Sequence, residues 1–198
     1  MDYARVTAII LAAGLSSRMG NPKMLLEWKG KTVLDTVLQT VTQSKVSNTI
    51  LVYGAFSTEI LKIAGDYPVE AVFNPGYTNG SMLLSLQTGL IAIKESMDGI
   101  MIILGDQPVL KASTIEKVIS DFQRSRMKVV IPSYAMRRGH PWLIDQSLVI
   151  EILNLEEPGT LRNFLGKHQS DIFYTEVDDP NILADMDTPE DYQNLRGQ

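Results

Sequence analysis

The feature that most narrows the fold is an alternation. Short, fully apolar runs rich in β-branched residues are separated by segments whose apolar residues recur at helical spacing. Val6 to Leu11, ending in Ala12-Ala13-Gly14, reads as a buried strand, and Val33, Leu34, Val37, Leu38 and Val41 fall on one helix face. The rhythm continues with a strand at Ile50 to Tyr53, a helix near Thr58 to Ala64 and a strand near Val69 to Phe73. Turn signals follow at Asn74-Pro75-Gly76 and Asn79-Gly80, then a helix near Leu83 to Glu95 and the most apolar strand, Ile100 to Leu104. A helix at Ser113 to Arg124, opened by a Ser or Thr cap, and a strand at Val129 to Ile131 complete this half. Such alternation predicts an α/β fold, a mostly parallel central sheet with helices on both faces.

Beyond Pro132 the rhythm changes. Trp142 to Ile144 reads as a strand, Ser147 to Leu155 and Thr160 to Gly166 as short helices, and Ile172 to Val177 as a last strand. This part extends the sheet and leaves room for an antiparallel member. The chain has no internal repeat and no linker rich in Pro, Gly or Ser, so the expectation is a single domain over residues 1–198.

Composition closes off several functions. Apolar side chains make up 44% of the 198 residues, enough for one substantial core and too many for a disordered or low-complexity chain. No apolar run approaches the ~20 residues of a membrane helix, and Asp2 stands where a signal peptide is basic. The absence of cysteine removes disulfides, thiolate metal sites and cysteine nucleophiles, which by elimination fits the cytoplasm. A net charge of -5 has the wrong sign for wrapping nucleic acid, so the expectation is no nucleic acid and no membrane. Any phosphate must be met by a few placed cations.

In parallel α/β sheets ligands bind beyond the carboxyl ends of the strands. Leu11-Ala-Ala-Gly-Leu-Ser-Ser-Arg-Met-Gly-Asn-Pro-Lys23 follows the first strand and is too long for a simple turn. Its amides can surround phosphate oxygens, with Arg18 and Lys23 neutralising them, unless it is a surface loop with stray cations. It matches neither G-x-G-x-x-G nor the common P-loop, and it lacks the last glycine of the hydrolase elbow. Asp106, in Gly105-Asp-Gln-Pro108, either faces the same crevice and suits a hard cation such as Mg²⁺, or is a turn or helix cap. Thr188, Pro189 and Asp191 form a capping signal, which leaves Asp187 free to share the metal or to sit against the helix dipole. In Arg138-Gly-His-Pro141, His140 reads as an orienting residue whose ring or adjacent backbone touches a substrate. His168 reads as a solvated surface residue, and the Asn79-Gly80-Ser81 sequon as meaningless in a cytosolic protein.

Four of these motifs carry a resemblance: Leu11-Ala-Ala-Gly-x-Ser-x-Arg-Met-Gly-x-x-Lys23, Gly105-Asp-Gln-Pro108, Gly139-His-Pro141 and Asp185-Met-Asp-Thr-Pro189. In order and over essentially the whole chain, they resemble the molybdenum cofactor nucleotidyltransferases, most closely the cytidylyltransferase branch. The resemblance implies a single Rossmann-like nucleotidyltransferase domain. It implies Lys23, Arg18 and Asp106 as catalytic residues, and Asp106 with Asp187 as ligands of Mg²⁺. Nucleotide contacts are implied at Leu11, Ala12, Ala13, Gly14, Ser16, Arg18, Lys23, Gly80, Ser81, Ser85 and His140. Ser81 departs from the family pattern, which has Gly directly before the Met. Ala13, where guanylyltransferases carry Gly, and Gly-His-Pro both favour cytosine. The implied substrates are CTP and molybdopterin or molybdenum cofactor, with a transient client molybdoenzyme or cofactor chaperone as a further partner. The readings set beside this one are a guanylyltransferase, a sugar- or polyol-phosphate cytidylyltransferase and a non-catalytic cofactor-binding chaperone. A nicotinamide-dependent oxidoreductase is disfavoured by the missing glycine fingerprint.

Overall fold

The first strand, β1 (Val6–Ala12), has apolar residues on both of its faces because both are covered. Val6, Ala8, Ile10 and Ala12 join one core cluster, while Ile9 and Leu11 join the other. The structure, a computed structural model, describes residues 4–15, 19, 22–79, 81–156 and 160–197. After β1 come a small antiparallel hairpin of β2 (Glu27–Trp28) and β3 (Lys31–Thr32), then α1 (Val33–Thr42), β4 (Asn48–Tyr53), α2 (Ser57–Ala64) and β5 (Glu70–Phe73). The chain continues with α3 (Met82–Ala92), β6 (Gly99–Leu104), α4 (Ala112–Ser125), β7 (Val129–Tyr134), β8 (Arg137–Arg138) and β9 (Trp142–Asp145). It closes with α5 (Val149–Leu153), α6 (Leu161–Lys167), β10 (Ile172–Glu176) and α7 (Pro189–Arg196).

The strands lie in the order β10-β7-β9-β6-β1-β4-β5, with β8 paired to the end of β7. Pairings among β6, β1, β4 and β5, and between β10 and β7, are parallel. Two strands run antiparallel to their neighbours: β9, which inserts between β6 and β7, and the short β8 on β7. Helices α1, α2 and α4 cover one face, and α3, α5 and α6 the other. Close approach of α3 depends on Gly89, where a Cβ would lie 2.6 Å from Ile9 Cγ2 and 2.9 Å from Val52 Cγ2. This is the Rossmann-like α/β layering that the alternation predicts. No helix among the described residues is long and apolar enough to cross a membrane.

Three local expectations are corrected. The cap of α4 is Lys111 rather than Ser or Thr, because the helix begins at Ala112 and puts Ser113 and Thr114 inside its first turn. Helix α3 stops at Ala92, since Ile93 turns extended. The segment expected as one helix over Ser147 to Leu155 is a tight turn at Gln146–Leu148 followed by the short α5.

A third cluster of Met19, Trp28, Val33, Met186, Tyr192 and Leu195 packs α7 against the hairpin. The Tyr192 hydroxyl donates to the Glu27 carbonyl at 2.5 Å, and Arg196 pairs with the Glu27 carboxylate. The end of the fold is thereby laid over the residues that follow β1.

Candidate active site

Parallel strands deliver their carboxyl ends to one edge, and the site is assembled there. Gly105 lets the turn after β6 press against β1: its N–H donates to the Leu11 carbonyl at 3.0 Å, and a Cβ would lie 3.0 Å from that same oxygen. Asp106 is therefore fixed beside the exit of β1. Lys23 opens the tight turn Lys23–Leu25 that follows Pro22, and its side chain is only 11% exposed. Asp187 stands just before α7. The Thr188–Asp191 capping box holds that helix start, and Asp191 Oδ2 also accepts from the Asp187 amide at 3.1 Å.

These three residues meet. The Lys23 ammonium donates to Asp187 Oδ1 at 2.5 Å and to Asp106 Oδ2 at 3.4 Å, although the two acids lie on opposite sides of the chain's connectivity. Taking charges out of water requires such pairing. Burial pushes the Asp106 carboxyl above the ordinary range; Lys23 pulls it back down, and Asp187 pushes it up again. Asp185 is also raised, by burial and then by Asp187. Asp191 is lowered by the hydrogen bonds of the cap, first the Thr188 side chain and then its backbone.

The remaining predicted residues are placed as follows. Leu11, Ala12 and Ala13 bury their side chains in the core, so only their backbone can meet a ligand. Gly14 is exposed, with open space where a side chain would be. Ser16, Arg18 and Gly80 lie outside the described residues. Ser81 caps α3 by accepting from Leu84 N. Ser85 is buried, accepts from the Asn74 amide at 3.0 Å and donates to the Ser81 carbonyl at 3.2 Å. Both serines thus lie beyond the carboxyl end of β5 with structural bonds of their own.

His140 precedes β9, which enters beside the end of β6, so it too lies at this edge. Its ring stacks on Trp142, with centroids 4.5 Å apart, and the residue as a whole is partly exposed. Burial pushes its pKa down to about 4, so the ring is neutral, and Nδ1 is enclosed without a hydrogen-bond partner. Nδ1 is thus closed to a ligand, while His140 as a whole stays partly exposed at this edge, where its ring or adjacent backbone is expected to orient a substrate. His168 is not solvated as expected: Nδ1 lies 2.9 Å from Asp171 and Nε2 2.9 Å from Glu151. The overlooked signal was the acid three positions on. Also overlooked were the buried Gln107, whose amide donates to the Ala184 carbonyl at 2.8 Å, and Asn74, which braces Ser85.

The donor set fits a hard divalent cation in one specific way. Two carboxylates converge on one positive charge, and no group of three or more His, Cys, Asp or Glu among the described residues could hold a metal unaided. That suits Mg²⁺, which takes one or two carboxylates together with substrate phosphates and water.

Fold and charge arrangement define an enzyme class, the nucleotidyltransferases built on a Rossmann-like domain. The chain belongs to the family of the MobA-like NTP transferase domain, whose model matches residues 8–172. The molybdenum cofactor cytidylyltransferase of Escherichia coli (strain K12) is 30% identical over 190 residues, covering 94% of this chain and 93% of that protein. The nicotine blue oxidoreductase of Paenarthrobacter nicotinovorans is 27% identical over 201 residues, covering 98% of each. Among solved structures, Rv0371c from Mycobacterium tuberculosis H37Rv superposes with a TM-score of 0.87 at 25% identity, over 100% of both chains.

Proposed function

We propose that the enzyme joins CMP from CTP to the terminal phosphate of molybdopterin or molybdenum cofactor and releases pyrophosphate. The observation that carries this reading is the convergence of Asp106 and Asp187 on the Lys23 ammonium at the carboxyl edge of the sheet. An oxygen of the acceptor phosphate attacks the α-phosphorus, forming the new P–O bond as the bond to the β-phosphate oxygen breaks. The anionic nucleophile carries no proton to remove, so the step needs no general base. Catalysis then rests on positioning and charge compensation. The amides around Ala13 and Gly14, with Arg18, hold the triphosphate, and Lys23 balances charge on the α-phosphate and the departing pyrophosphate. Asp106 and Asp187 hold Mg²⁺, which when bound neutralises the triphosphate.

Cytosine is favoured by Ala13, by Gly139-His140-Pro141 and by the full-length relative at 30% identity. The cytoplasm is the proposed location, and a client molybdoenzyme or cofactor chaperone the proposed recipient. The test is pyrophosphate release from each of CTP, GTP, ATP and UTP with Mg²⁺, with and without molybdopterin. CTP with the pterin should react far faster than any other combination. Faster turnover with GTP rejects the cytidylyl assignment. No pyrophosphate from any nucleotide, together with pyridine-nucleotide-dependent reduction of a dye, rejects the transferase reading in favour of the oxidoreductase named among the relatives.

A further inference from the structure

The segment that carries Asp185 and Asp187 is a strap that begins at Asp179 and crosses the end of the sheet before α7. Its first turn, Pro180–Leu183, is short, and hydrogen bonds within so brief a segment cannot fix where its far end lies. What fixes it comes from elsewhere in the fold. The His140 N–H donates to the Ile182 carbonyl at 3.1 Å. Gly139 approaches the same group so closely that a Cβ would lie 2.3 Å from the Ile182 oxygen. Two residues on, the Gln107 amide donates to the Ala184 carbonyl at 2.8 Å, from a side chain only 4% exposed. Met186 is then buried in the third cluster, and Asp187 emerges over Lys23.

We propose that Gln107 and the Gly139–His140 backbone are positioning residues of the transfer reaction. Gln107 directly follows Asp106 in the chain, and its amide grips the strap three residues before Asp187. One side chain therefore gauges the spacing between the two carboxylate-bearing segments. The Gly139–His140 clamp sets the strap's register upstream, and the imidazole stacked on Trp142 steadies the bracket. On this view the Gly-His-Pro motif acts on the charge centre through backbone geometry.

This inference rests on the proposed transferase reading, and the experiment separates the two. Gln107→Met keeps the volume and removes the donor. The readouts are Mn²⁺ affinity by electron paramagnetic resonance in the presence of CTP, and single-turnover rate against nucleotide KM. The variant should bind Mn²⁺ about 10-fold more weakly and lose about 10-fold or more in the chemical step, with KM for CTP and base preference little changed. Placed on an Asp187→Asn background, the same substitution should cost almost nothing further, because its effect passes through Asp187. Gly139→Ala, where it folds, should repeat the pattern. Wild-type Mn²⁺ affinity in Gln107→Met, or full additivity with Asp187→Asn, overturns the positioning role alone. A wild-type enzyme with no affinity for Mn²⁺ in the presence of CTP overturns the transferase reading and this inference with it.

Discussion

Replacing Lys23 by Met removes the ammonium that the Asp106 and Asp187 carboxylates share. Their oxygens stand no farther apart than the two legs of 3.4 and 2.5 Å allow, about 5.9 Å. At that separation two unit charges repel by roughly 3 kcal/mol at an effective dielectric near 20. The Asp187 side chain is 50% exposed, so solvent screening reduces the figure to about 1–2 kcal/mol. Asp106 also loses the charge that offsets its burial, and uncovering one member of a buried pair costs about 3 kcal/mol or more. We expect Lys23→Met to be destabilised by roughly 3 kcal/mol near neutral pH. The sign with pH follows from the carboxyls. Without Lys23 the folded pKa of Asp106, already raised by burial, lies further above the unfolded one. The penalty is therefore absent below the ordinary carboxylate range and grows as pH rises through the folded value. Urea unfolding of wild type and variant at about pH 4.5, 6 and 7.5 measures it. The difference between the proteins should be small at the acid end and largest at the neutral end. An equal difference at all three pH values would show that Lys23 does not couple the two acids, and the charge-centre argument would fail.

Asp187→Asn keeps the shape and removes one charge, so turnover should fall by roughly 100-fold and recover in part at higher Mg²⁺; near-wild-type turnover at low Mg²⁺ contradicts the role. His168, whose pKa is raised first by its bond to Asp171, ties α6 to α5 through Glu151. Its contribution is fully present below the unfolded histidine value and is lost as pH rises through the folded one. His168→Gln should therefore cost about 1 kcal/mol in urea unfolding near pH 6 and much less near pH 9, whereas a pH-independent cost refutes the clasp. Gly89→Ala drives a methyl into Ile9 and Val52 and should cost about 1–2 kcal/mol after the helix-propensity gain; an unchanged unfolding midpoint would show that α3 can slide away.

The strands of the sheet centre are legible because β1 and β6 are covered on both faces, which forces unbroken apolar runs. The antiparallel insertion of β9 is not, since the orientation of a four-residue strand is set by partners on β6 and β7 rather than by its own pattern. Asp187 stands out because Thr188 and Asp191 already complete the cap and leave it no structural task. Gln107 escapes notice for the opposite reason: a neutral amide announces nothing, and the carbonyl it serves is 77 positions away. That the His140 ring stacks on Trp142 is not legible either, although the partner lies only two residues on. Packing between distant segments decides the orientation of β9 and the contact of Gln107, and local pattern carries neither.

The pairing of Tyr192 and Arg196 with Glu27 joins positions 165 and 169 residues apart. A nascent chain that has emerged only as far as β10 already has every strand of its sheet, yet lacks both Asp187 and the helix that holds it in place. The charge centre can therefore be completed only after every strand described in the sheet has been made. Translation itself imposes an order in which the scaffold can form before the cluster, and a copy that stops at β10 holds Lys23 and Asp106 without Asp187.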